Sequence, residues 1–395
     1  MPGSFAMNQS KQTRRRPVVA NQGPSSLATV MLWAALGIVM AFAILMLVGR
    51  PARPAAHVLP PGDVTTNAVP PAVTNALLHP SLGAAGFPTP QTNLLAANPA
   101  GIFMPTGTGN PNSGLFGSVR TQSSGAAQFH EGVDIAPVQR GRGGLALDDV
   151  TVIADGTLAY INRATGNSNY GRYAVVLHSD PLGEVYTLYA HLADLTPGLA
   201  PGQALRRGAV LGRMGHSSSG AIPLERSHLH FEIGLLLNRR FDAWFHAQRL
   251  TPDHGLYNGW NLAGVDPLAF YRARDEENAL SFARFMDRVP AAFEVVLRAR
   301  ALPDFFLRYP ALWQGALETG GTIVVRASEN GVPLGGRAAT PAETSRLGRA
   351  AAQVLNVNAA VLGRNGAHLV AAGRGGWTLG KAGEQWRQIL LYPQP

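Results

Sequence analysis

Residues 226–236 read Arg-Ser-His-Leu-His-Phe-Glu-Ile-Gly-Leu-Leu, and this stretch decides the fold. Leu229, Phe231 and Ile233 alternate with polar neighbours, which predicts a β-strand over His228–Gly234. Successive strand side chains point to opposite faces, so His228 and His230 share one face. Outward from here, from about Gly101, short runs rich in Val, Ile, Leu, Tyr and Thr are separated by turns containing Gly, Asn, Asp and Pro. The pattern predicts further strands at Val150–Ala154, Gly156–Ile161, Tyr173–His178, Glu184–Ala190 and Val210–Gly212. Their spacing suits hairpins and meanders. Nothing resembles a βαβ unit, and the glycines of 107–114 and 141–144 read as loop material, too scattered for a phosphate loop.

Four histidines fall within this β region in informative contexts: His130, His191, His228 and His230. His130 and Asp134 stand four apart in HEGVD, where Gly132 permits a tight backbone path that brings an imidazole and a carboxylate onto one cation. The chain has no cysteine, which excludes disulfides, thiolate nucleophiles, iron–sulfur clusters and Cys-type zinc sites. Any metal must be held by His, Asp or Glu, and nitrogen with oxygen suits a borderline cation such as zinc. One histidine on a strand is usually a hydrogen-bonded core or surface residue; the combination carries the signal.

HEGVD (130–134), YAHL (189–192) and HLHFE (228–232), in that order, resemble the motifs of the LytM/lysostaphin family of zinc metalloendopeptidases. The resemblance runs from about Ser113 to Tyr271 and includes SGLFGSVR (113–120), NYGRYAVVLHSD (169–180) and VDPLAFY (265–271). It implies a mainly β catalytic domain of antiparallel sheets and one zinc ion held by His130, Asp134 and His230. His191 and His228 would then serve as general base and as donor to the developing oxyanion, in either order. The implied substrate is peptidoglycan, cut in its stem peptides or cross-links. The preferred bond is that of directly linked stem peptides rather than a glycine bridge.

His178 lies on a strand where the family commonly carries a histidine without a chemical role, and it reads as structural. His216, His246 and His254 fall in loops and read as solvated; His57 and His79 lie in a Pro-rich segment. Relatives of this kind can carry an upstream segment that covers the metal, and an Asn or His within 67–112 could do so, although no motif supports it. Two stretches depart from the family pattern. Ala221–Ser227 (AIPLERS) replaces a short Gly-Pro approach and reshapes a groove wall. Asn238–Leu262 inserts Trp244, Phe245, Tyr257 and Trp260, which either line a substrate groove or pack the loop onto the domain. Arg140 and Arg142 belong to a further insert that reads as a solvated loop.

The 395 residues are 46% hydrophobic and 14% charged, enough apolar material for a sizeable core and too much for a disordered chain. The net charge of +9 is concentrated at the head: Lys11, Arg14, Arg15, Arg16, Arg50 and Arg53 precede every acidic residue. The remaining 342 residues carry 27 basic and 24 acidic side chains, which argues against a nucleic-acid partner. Leu27–Val48 is uncharged over 22 residues, enough to cross a bilayer, where about 20 are needed. The basic residues before it place the N-terminus in the cytoplasm of an inner-membrane protein and the catalytic domain in the periplasm or cell exterior. Expected boundaries are a tail at 1–26, an anchor at 27–48, a Pro-rich linker at 49–100, the peptidase at 101–273 and a C-terminal α+β domain at 274–395. In the last, helical spacing is read over Glu276–Arg300, broken at Pro290, and over Pro341–Leu355; strands are read at Thr322–Ala327, Ala359–Leu362, His368–Ala372 and Gln388–Tyr392. Two other functions stand beside hydrolysis. One is a noncatalytic regulator that activates a partner amidase; the other is a wall-binding scaffold centred on the C-terminal region.

Overall fold

The computed structural model describes residues 81–121, 127–250, 254–316 and 321–393. The tail, the anchor, His57, His79 and the first part of the linker lie outside these residues. Among the described residues no helix is long and apolar enough to cross a membrane.

The first part is built of antiparallel strands: β1 (Val119–Thr121), β2 (Ala127–Phe129), β3 (Val133–Ile135), β4 (Asp149–Thr151), β5 (Gly156–Asn162), β6 (Tyr173–Asp180), β7 (Gly183–Ala190), β8 (Ala204–Leu205), β9 (Val210–Arg213), β10 (Leu229–Leu236) and β11 (Leu262–Val265). Seven form one sheet in the order β11-β10-β7-β6-β5-β8, with β3 also paired to β10, while β1 pairs β2 and β4 pairs β9. β10 is buried on both faces. Leu229, Phe231, Ile233 and Leu235 enter the main core, each contributing about 1.5–3 kcal/mol of burial. The opposite face carries His230 and Glu232, then Leu236 against Tyr173, Tyr186 and Leu262.

The chain ahead of this sheet is already folded onto it. Leu82 and Leu94 are buried, Gly86 N–H donates to Ile153 O (2.7 Å), and Tyr271 Oη donates to Gly86 O (2.8 Å). At least 81–100 of the Pro-rich linker therefore packs on the domain, because its sparse leucines join the main core. The insertion after β10 contains a helix, α1 (Phe241–Ala247). Phe241, Trp244 and Phe245 are buried there in mutual ring contact, so these aromatics pack the insertion down, whereas Trp260 stays 48% exposed.

After α2 (Pro267–Glu276) and α3 (Phe282–Met286) comes a second sheet. Its strands are β12 (Phe293–Ala299), β13 (Trp313–Gln314), β14 (Gly321–Ala327), β15 (Pro333–Ala338) and β16 (Ala352–Val357), in the order β13-β15-β14-β12-β16. The short α4 (Asp304–Arg308), α5 (Pro341–Leu347) and α6 (Ala359–Leu362), the hairpin β17 (Val370–Gly373) with β18 (Gly376–Leu379), and α7 (Lys381–Leu391) complete it. Four expectations are corrected by these elements. Residues 293–299 form a strand, not the end of a helix. The helix from Pro341 stops at Gly348, whose φ of +56° is left-handed. Ala359–Leu362 and Gln388–Leu391 are helical, the former capped by Asn358 and the latter the apolar end of amphipathic α7, which Tyr392 terminates. The two sheets share one core and direct hydrogen bonds: Tyr309 Oη to Glu184 O (2.8 Å), Asn330 Nδ2 to Gly264 O (2.8 Å) and Asn238 Nδ2 to Ile389 O (2.7 Å).

Candidate metal centre

β-Pairing assembles the centre. β3 places Asp134 directly opposite His230 on β10, and β7 places Ala190 on the other side, so His191 follows at the same level. His228 precedes β10 through a bridge to Gly215. Gly132 is required where it stands, since a Cβ there would meet Phe231 O at 2.4 Å and His230 Cε1 at 3.0 Å. All five side chains read from the motifs thus converge.

His130 Nε2 lies 3.1 Å from Asp134 Oδ1 and 3.1 Å from His230 Nδ1, and His230 Nδ1 lies 3.0 Å from Asp134 Oδ1. These ligand atoms all lie within 4.8 Å of one another, on residues that are buried. Each ring's other nitrogen donates outward: His130 Nδ1–H to Leu115 O (2.9 Å) and His230 Nε2–H to Glu232 Oε1 (2.8 Å). Both rings therefore turn a nitrogen inward beside a carboxylate oxygen, an arrangement that needs either a shared proton or a cation among them. A zinc ion fits this donor set.

Asp134 Oδ2 is taken by Arg120 Nη2 at 2.6 Å, and Arg120 is itself held by Ser113 O. Burial would raise the Asp134 carboxyl, but His130, His228 and Arg120 outweigh it and hold it well below the usual carboxylate range. Burial lowers His130, His228 and His191, the last furthest because His228 and His230 add their repulsion. His230 goes the other way. Burial would lower it, yet hydrogen bonds to Asp134 and Glu232 push it up to about 9, so its surroundings favour positive charge. The Glu131 carboxyl is pushed up to about 7 by burial and by Glu232.

His191 is held in the left-handed region at φ +63°, a costly conformation for a residue with a Cβ. Its N–H donates to Tyr170 O (2.9 Å) and its Nδ1–H to Ser217 O (2.8 Å). His228 Nδ1–H donates to Arg226 O (2.7 Å), and the two rings stand 4.7 Å apart. With Nδ1 protonated on both, each Nε2 carries a lone pair.

Reading the sequence by motif missed four supports. Glu232, fully buried, accepts from His230, from Tyr170 Oη (2.7 Å) and from Tyr186 Oη (2.8 Å). The strand period that placed the histidines on one face puts Glu232 there too; Tyr170 and Tyr186 lie too far away in sequence for such a signal. Arg120 stood inside SGLFGSVR without a role. Among the other histidines, His178 is buried and bonded to Asp155 O and Thr187 Oγ1, apart from the centre. His246 is exposed. His254 is not solvated: it is buried against Tyr173 with Nε2 on Asn167 O (3.0 Å). His216 is half-buried with Nδ1 on Ile222 O, so Ala221–Ser227 is tied to the loop that holds His191. Arg140 and Arg142 lie on a surface loop, Arg140 bonding Gly144 O.

Residues 128–241 match the profile of Peptidase family M23. The chain carries a family M23 peptidase domain. This family is zinc-dependent, in agreement with the His130–Asp134–His230 group. Solved structures similar to the chain include a zinc-containing peptidase from Vibrio cholerae (25% identity, TM-score 0.22, covering 30% of this chain and 31% of that one). The catalytic domain of lysostaphin from Staphylococcus simulans is 18% identical (TM-score 0.26, 40% and 89% covered). Csd3 from Helicobacter pylori is 19% identical (TM-score 0.23, 40% and 31% covered). The chain thus spans about a third of the Vibrio and Helicobacter proteins. No curated protein matches it.

Proposed function

We propose that the M23 domain is a zinc-dependent endopeptidase that hydrolyses peptide bonds of peptidoglycan stem peptides or cross-links. The observation that carries this is the inward convergence of three electron-pair donors, His130 Nε2, Asp134 Oδ1 and His230 Nδ1. One zinc ion held there would polarise the scissile carbonyl and acidify water near neutral pH.

The chain's own groups supply the rest. Arg120 occupies Asp134 Oδ2 and so leaves Oδ1 directed inward. Glu232, fixed by two tyrosine hydroxyls, holds the His230 tautomer. His191 and His228, neutral at pH 7 because burial lowers both, present Nε2 lone pairs. One accepts the proton of the attacking water at Nε2, donates that N–H to the oxyanion as it develops, and then passes the same proton to the leaving amine. The basic head and the uncharged Leu27–Val48 run are the reason to place this chemistry outside an inner membrane with the N-terminus in the cytoplasm. A noncatalytic activator of an amidase would have no need of an intact donor set with both partner histidines.

The test is cleavage of synthetic cross-linked stem peptides by the full-length chain, before and after chelation and after zinc is restored. Activity should vanish and return. Metal-independent cleavage, or none from zinc-loaded protein, would refute the reading.

A further inference from the structure

Beside the metal centre lies an open hollow of about 450 Å³, lined by Arg172, Ala193, His216, Ser217, Ala221 and Ile222. We propose that this hollow is a substrate subsite next to the bond that is cut, and that Arg172 takes a carboxylate of the peptide there. The inference rests on the peptidase reading above and names a substrate feature for that site.

The hollow lies on the side where the centre meets solvent. His130, Asp134, His228 and His230 are at most 6% exposed, whereas His191 is only half-buried, so the way in from solvent passes the His191 ring. The lining residue Ser217 holds that ring, its O accepting from His191 Nδ1–H at 2.8 Å, and Ala193, also in the lining, follows His191 by two residues. The ring is 4.7 Å from that of His228 and 5.9 Å from that of His230. A peptide whose scissile carbonyl sits among these rings therefore lays its next residue or two, at ~3.5 Å each, across the hollow.

Arg172 is fixed at both ends and left without a counter-ion. Its backbone N–H donates to Ser217 Oγ (2.9 Å) and its Nη1–H to Ala193 O (3.0 Å). Nε and Nη2, the parallel donors that match the two oxygens of a carboxylate, have no partner among the described residues, and no acidic side chain lines the hollow. Arg213, whose carbonyl accepts from Ala193 N–H, is by contrast paired with Asp194 at 2.7 Å. A half-buried guanidinium held in place and unpaired is complementary to an anion that arrives with the substrate. The rest of the lining comes from two stretches outside the family pattern: Leu145 follows the Arg140–Gly144 insert, and Ala221 and Ile222 open the Ala221–Ser227 segment, which His216 Nδ1–H fastens through Ile222 O (2.8 Å). Their apolar surface suits a carboxylate carried on a short aliphatic body.

The experiment uses the full-length, zinc-loaded chain and three synthetic stem-peptide dimers: one with every carboxyl free, one amidated at the chain-terminal carboxyl and one amidated at the side-chain carboxyl beside the cross-link. One of the two amidations should raise KM about 10- to 100-fold at similar kcat, the size of a charge-assisted bidentate pair, and so identify which carboxylate binds. Arg172→Gln should treat all three dimers as the parent treats that amide, while Arg172→Lys, which keeps the charge without the fork, should recover part of the preference. Equal KM for the three dimers, a preference that survives Arg172→Gln, or an Arg172→Gln protein that loses kcat on every dimer alike overturns the proposal. Binding of the same labelled dimers to the chelator-treated parent chain separates the two readings. Preference for the carboxylate without cleavage by the zinc-loaded chain would leave the subsite standing and sink the peptidase; cleavage without preference would do the reverse.

Discussion

The two sheets of the protein share one core but treat charge in opposite ways. The sheet around β10 buries His130, Asp134, His228, His230 and Glu232 at 6% exposure or less, all on one face and all hydrogen-bonded. The sheet around β12 buries Val296 and Val324 with Leu347 at the equivalent depth and leaves Arg298 and Arg326 exposed. Each ionised group taken from water costs several kcal/mol unless paired. A sheet built only for stability looks like the second. The first therefore spends stability on a centre that attracts a cation, and that contrast predicts where substitutions act on chemistry and where on folding.

The largest effect should come from the ligands. Asp134→Ala or His230→Ala should leave the chain without zinc by elemental analysis and lower peptide cleavage by at least about 10³-fold, since neither nucleophile nor carbonyl activation survives. His228→Ala and His191→Ala should keep the metal and lose about 10²–10³-fold in kcat. A His228→Ala or His191→Ala protein that loses metal along with activity would overturn the division between ligands and proton carriers.

The sharpest comparison pairs one residue from each sheet. Leu297→Ala in β12 should cost about 2–5 kcal/mol in denaturant unfolding with zinc affinity of the folded fraction unchanged. Glu232→Gln in β10 should weaken zinc binding about 10- to 100-fold in competition with a chelator, through loss of the charge that orients His230. Equal loss of zinc affinity in both would mean that metal retention reports only general stability.

The smallest effect is one of pH. His178 is buried neutral, and burial pushes it down to about 4 from an ordinary value of 6.5. A histidine with a depressed folded value contributes stability that is complete above pH 6.5 and lost as pH falls toward 4. This one should cost about 1 kcal/mol for each pH unit in that window. His178→Gln should flatten that part of the unfolding profile; an unchanged slope would assign it to other groups.

The site was legible because its information is short-range. Spacings of four in HEGVD and two in HLHFE fix which side chains face the same way, and the β pattern around them has period two throughout. Arg120, Tyr170 and Tyr186 reach the centre across long sequence separations, through pairings that no local pattern records. The C-terminal region failed for a different reason. FEVVLRA is fully apolar at 295–297 and fits either period, so only its place between β14 and β16 makes it a strand. Residues 388–392 look strand-like in isolation because all but the last are the apolar end of α7, whose polar face lies earlier in the sequence. Likewise Leu82 and Leu94 sit among prolines, and their docking depends on a surface that their own segment does not contain.

The most direct test of the account is mass spectrometry of what full-length protein releases from isolated cell-wall sacculi, run beside a His230→Ala control. The account predicts zinc-dependent release of stem peptides cleaved at a cross-link by the parent chain alone. Intact cross-links after incubation with folded, zinc-loaded protein would contradict it.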